Sequence, residues 1–118
     1  MRKEPEKLFE KKDPALFPLF KVLNSRICKW REVSASATQN CIVYVANGSF
    51  LIVKPMKNAI DLKFPLNESA DVFPVYKAVP WGKKVWHHIR LFDKDDLDAA
   101  VWSLLQQAYH EDFHRSAP

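Results

Sequence analysis

Two runs of β-branched and aromatic residues, Cys41–Ala46 and Phe50–Lys54, flank the triplet Asn47-Gly48-Ser49. Asn-Gly supplies the positive φ angles of a tight hairpin turn, and the flanking residues suit a pleated surface, so the stretch predicts a β-hairpin. Both runs are nearly continuous in apolar character. That predicts cover on both faces, as at the centre of a sheet.

Further strands follow from the same logic. In Ala59–Pro65, Ile60, Leu62 and Phe64 alternate with Asp61 and Lys63, giving one dry and one wet face at period two. Val75–Val79 predicts a short strand ending at Pro80, Trp81–Lys84 a turn, and Val85–Leu91 a further strand. Parity in that last strand sets Val85, His87, Ile89 and Leu91 on one face and Trp86, His88 and Arg90 on the other. Ser34–Thr38 is small and hydroxylated and reads as a connector or a short edge strand.

Helical spacing appears at both ends. Asp13-Pro14 reads as a helix start, and Phe17, Phe20, Leu23, Ile27 and Trp30 share one stripe, predicting a helix from about Pro14 to Lys29. Asp93 reads as the N-cap of a second helix, with Asp95 and Asp96 in its first turn and Leu97, Val101, Leu104, Leu105 and Ala108 along its apolar face. That helix should end near His110 to Phe113. The fold class expected is α+β: an N-terminal helix, an antiparallel β-meander of about four to five strands, and a C-terminal helix packed on the sheet. Residues 1–13 read as a flexible charged N-terminus, 14–113 as a single domain and 114–118 as a frayed tail.

With 118 residues, 47% hydrophobic and 27% charged, the chain can bury one core without staples. The formal net charge of +4 is mildly basic and not gathered into an arm, since Glu10 interrupts the densest run, Lys7–Lys12. Two cysteines, Cys28 and Cys41, lack zinc or redox spacing, no run approaches a membrane span, and the charged N-terminus does not read as a signal peptide. A cytoplasmic location without membrane association is the expectation.

The hairpin Tyr44–Lys54, the segment Ile60–Pro65, and above all Trp86-His87-His88-Ile89-Arg90-Leu91 followed by Asp96-Leu97-Asp98 and Leu104–Tyr109 resemble an uncharacterised, mainly bacterial family of unknown function. The similarity spans roughly Leu16 to Glu111 and implies a small α+β unit with a helix, an antiparallel meander and a final helix. It implies no activity, ligand or partner. The uncharged tip Asn47-Gly48-Ser49-Phe50 departs from the basic hairpin expected of members.

Three constellations bear on chemistry. Trp86, His88 and Arg90 share a strand face and offer a stacking surface, a titratable donor and a fixed cation. With Tyr44 or Trp81 alongside, they would form a site for an anionic or aromatic ligand. His87 sits among apolar neighbours and reads as a histidine bonded to backbone. His110-Glu111-Asp112-Phe113-His114 formally matches H-E-x-x-H, in which His110 and His114 would hold zinc and Glu111 act on water.

No nucleophile elbow is present, and with only Gly48 and Gly82 the chain has no phosphate-binding glycine loop. The leading expectation is a non-catalytic binding module without cofactor. Its aromatic and basic sheet face, Trp86, His88, Arg90 and Tyr44, would take a small anionic ligand, a nucleic acid or a protein partner. The alternatives are a metal-dependent hydrolase built on the C-terminal motif and a homodimer.

Overall fold

A computed structural model describes residues 5–113, so residues 1–4, His114 and the rest of the expected tail lie outside the described residues. Two α-helices, α1 (Leu16–Ile27) and α2 (Ala99–Phe113), accompany six strands: β1 (Ser34–Ala37), β2 (Ile42–Val45), β3 (Ser49–Pro55), β4 (Ile60–Leu66), β5 (Lys77–Trp81) and β6 (Lys84–Leu91). All pairings are antiparallel, in the order β1-β2-β3-β4-β6-β5. The meander therefore holds only through β4. β6 then inserts between β4 and β5, and β5 becomes an edge.

The sheet exceeds the expected four to five strands because β1 is a true strand. Its Ser-Ala-Ser-Ala side chains carry little pattern, and it is held by backbone pairing to β2. β5 runs through Pro80 to Trp81, which an edge strand tolerates because it need not donate on both sides.

Before α1, Pro5–Phe9 forms a 3-10 turn. Phe9 is buried, with its ring 5.5 Å from Phe17 and 5.1 Å from Phe20. One aromatic among charges thus packs the described part of that segment against α1. α1 starts two residues later than Pro14, because Asp13 accepts the Ala15 N–H at 2.9 Å and its carbonyl takes the Leu16 N–H in a preceding turn. Pro18 lies in the first helical turn, where its missing N–H costs no internal bond.

Asp93 caps not α2 but a separate 3-10 turn, Lys94–Asp96, through a capping box with Asp96. α2 is capped by Asp98, whose carboxylate accepts the Val101 N–H at 3.0 Å. Leu97, with φ −85° and ψ 64°, breaks the two apart.

The β2–β3 turn also differs from expectation. Among the described residues, positive φ falls at Gly82 and Glu32 rather than within Asn47-Gly48. Tyr44 pairs with Leu51 but Val45 pairs with Ser49, so Phe50 is the extra residue of a bulge. Phe50 and Leu51 can then both be buried, Phe50 at 6.2 Å from the Trp30 ring and 5.4 Å from that of Tyr109. Positive φ serves instead in the two-residue turn Gly82-Lys83, between the paired Trp81 and Lys84.

One sheet face carries Ile42, Tyr44, Leu51, Val53, Ile60, Leu62, Phe64, Leu66, His87, Ile89 and Leu91, all sealed into a single core with α1 and α2. The opposite face carries Val43, Ile52, Lys63, Trp86, His88 and Arg90, all of which keep solvent access. The apolar hairpin strands are thus covered on one face only. Val43 and Ile52 provide an apolar floor to the uncovered side. No helix of the described residues is long and apolar enough to cross a membrane.

Candidate functional site

The register of β4, β6 and β5 builds the uncovered face in rows. Lys63 on β4, His88 on β6 and Lys77 on β5 are direct cross-strand neighbours. The next row is Pro65, Trp86 and Val79, and beyond it Lys84 pairs with Trp81. Because side chains alternate, the first two rows and Trp81 project to one side. A groove of about 500 Å³ lies among Ile52, Lys63, Lys77 and His88 on one flank and Val79, Trp81 and Trp86 on the other. The Lys63 ammonium stands 5.3 Å from the centre of the Trp86 ring. Trp81 is 76% exposed.

A carboxylate anchors the adjoining row. Asp61 is buried, accepts the Tyr76 hydroxyl, and lies 3.0 Å from His88 Nδ1. Arg90 approaches the same carboxylate at 3.7 Å and lies over the Tyr76 ring at 4.8 Å. Burial, followed by the bond to Asp61 and its charge, raises the Tyr76 phenol above its ordinary range, so the phenol keeps its proton and donates. Held at Nδ1, the His88 ring leaves Nε2 as its remaining polar edge beside the groove. Arg90 is turned onto Asp61 and Tyr76 rather than into the groove.

Trp86, His88 and Arg90 therefore lie on one accessible face, with Trp81 beside them. Tyr44 does not join them. It is fully buried on the helix-covered face, where its hydroxyl donates to Asn24 of α1 at 2.7 Å. Register explains the correction: Tyr44 pairs with Leu51 and so shares the core parity of Ile42 and Val53. Burial drives its phenol far above the ordinary range.

His87 is fully buried, its ring 5.5 Å from Phe64 in a stacked arrangement, and Nε2 accepts the Ala70 N–H at 2.8 Å. Burial lowers its pKa, in keeping with a neutral ring that accepts at Nε2.

At the C-terminal motif, His110 is exposed and tilted against Tyr109 at 5.3 Å. Glu111 is occupied: its carboxylate accepts the Asn67 N–H at 2.7 Å and the Gln107 amide at 2.9 Å. Asp112 is buried and accepts the Asn47 N–H at 3.0 Å and the Gly48 N–H at 2.9 Å. His114, the second histidine of the pair, lies outside the described residues. Among the described residues no group of three or more His, Cys, Asp or Glu side chains gathers as for a metal ion.

Sequence reading missed Lys63, Lys77, Asp61 and Tyr76 as neighbours of this face. The alternation Ile60–Pro65 already placed Asp61 and Lys63 on a wet side. Only pairing could reveal that β6 and then β5 lie next to it.

No curated protein and no solved structure matches the chain. The family model described as a domain of unknown function (DUF5655) matches residues 6–111, a span that takes in both helices almost entirely and every strand of the sheet. The chain is therefore a member of the DUF5655 family.

Proposed function

We propose that this domain is a non-catalytic binding module whose uncovered sheet face takes an anionic ligand bearing an aromatic ring. The observation that carries the reading is the cross-strand row Lys63–His88–Lys77 beside Trp86 and Trp81. Lys63 and Lys77 stand on either side of β6 with no carboxylate in their row, and the exposed Trp81 indole gains little from packing, so a shared fold role accounts for neither. A phosphate or carboxylate set on the row would pair with the first, and a ring laid on an indole would use the second. The alternative metal-dependent hydrolase would need Glu111 to act on water, but its carboxylate already bonds Asn67 and Gln107.

The test is a titration of intrinsic tryptophan fluorescence at low salt with a nucleoside triphosphate, the free nucleoside and inorganic pyrophosphate. Quenching by the triphosphate is expected, weakened in the double variant Lys63→Ala, Lys77→Ala by about 1–2 kcal/mol, or roughly five- to thirty-fold. Absence of binding by all three, or binding indifferent to the two lysines, would sink the proposal.

A further inference from the structure

Resting on that reading, we infer that the ligand is an extended single strand of nucleic acid crossing β4, β6 and β5. The first argument is the number and spacing of stacking platforms. Trp86 on β6 faces Val79 on β5, and Trp81 stands two residues further along β5 with the same parity. Strands about 4.8 Å apart and a rise of about 3.4 Å per residue put the two attachment points roughly 8 Å from one another.

That is more than twice the ~3.4 Å between successive stacked bases of a duplex strand. The two indoles therefore suit two bases splayed apart, which a single strand provides and a duplex does not. A lone nucleotide has one base and would leave the second indole unused.

The second argument is the parallel course of cations and rings. Lys63, His88 and Lys77 form one row across three strands, and Pro65, Trp86 and Val79 form the adjacent row. The rows are two residues apart, about 7 Å along each strand. A backbone laid along the first row sets its phosphates on the two lysines and the His88 edge, with bases turned over Trp86 and Trp81. On the far side, Asp61 engages Arg90, Tyr76 and His88, and its carboxylate bounds the phosphate track there. The contacts are to backbone and to ring faces, so binding is tolerant of sequence.

The experiment is fluorescence anisotropy of a short labelled oligothymidylate with the full chain, across a salt series. The same titration is run with a duplex of equal length, a nucleoside triphosphate and inorganic polyphosphate. Expected is preference for the single strand, with log K falling against log salt at a slope near −1.4, about −0.7 for each of the two phosphates set on Lys63 and Lys77. Lys63→Ala with Lys77→Ala should flatten that slope by about 1.4. Trp86→Ala and Trp81→Ala should each weaken binding by roughly 5- to 150-fold without flattening it. Trp81 is 76% exposed on an edge strand, so its variant keeps the fold, which thermal unfolding verifies.

Equal or tighter binding of the duplex overturns the inference. So does triphosphate binding that chain length does not improve, although the anionic-ligand reading then stands. Single-strand binding indifferent to both tryptophans also overturns it. Failure of every probe at low salt removes both readings together.

Discussion

Asp112 sits where a carboxylate is electrostatically misplaced, in the last turn of α2, whose free carbonyls carry partial negative charge. It is compensated by the β2–β3 turn, in which the N–H groups of Asn47 and Gly48 both donate to it and the Asn47 amide reaches the Asp112 carbonyl at 3.3 Å. Asp112→Ala strips two backbone donors of their acceptor. A buried donor left unpaired costs about 1–3 kcal/mol, but Asn47 is exposed and Gly48 half-exposed, so water takes up part of the loss and about 1 kcal/mol each is the better figure.

Removing a charge opposed to the helix dipole returns about 0.5 kcal/mol, for a net loss of about 1.5 kcal/mol. At roughly 4 °C per kcal/mol for a domain of this size, Tm should fall by about 6 °C. Asp112→Asn keeps one acceptor oxygen and sheds the charge, so about half that loss is expected. Urea unfolding at neutral pH measures both. A loss under about 0.5 kcal/mol for the alanine variant, or an equal loss for asparagine, would refute the view that this carboxylate fastens helix to hairpin.

Two further predictions concern the covered side of the sheet. His87 has its pKa lowered by burial, so the unfolded chain binds its proton more readily than the folded one. Its contribution should be complete above the ordinary histidine range near 6.5 and lost as pH falls from there through the depressed native value. Urea midpoints at pH 7.5 and 5.5 should drop less in His87→Phe than in the parent chain, and equal drops would exclude this group as the cause. Tyr44→Phe removes the bond to Asn24 and should cost about 1 kcal/mol in urea unfolding while leaving triphosphate binding unchanged; altered binding would contradict its placement on the covered face.

Much of the secondary structure was legible because local chemistry dictates it. The alternation in Ile60–Pro65, the β-branched runs around Asn47-Gly48 and the helical stripe Phe17–Phe20–Leu23–Ile27 each need only near neighbours to be read. The candidate face was legible to the extent that parity is: Trp86, His88 and Arg90 must share a side in any regular strand.

Boundaries were less so, since Asp93 and Asp98 are both good caps. Which of them starts a long helix depends on the backbone at Leu97. Tyr44 was misplaced because a continuous apolar run carries no parity signal; its face is set by pairing with Leu51 across a bulge.

Sequence alone thus determined which segments are strands and helices and which side chains in a strand stay together, because those follow from the periods of the backbone. Tertiary structure decided that β6 inserts between β4 and β5, that both helices cover the same face, and therefore that Lys63 and Lys77 flank His88 on the side left uncovered. Strand order arises from contacts between residues far apart in the chain, to which hydrophobic periodicity is blind.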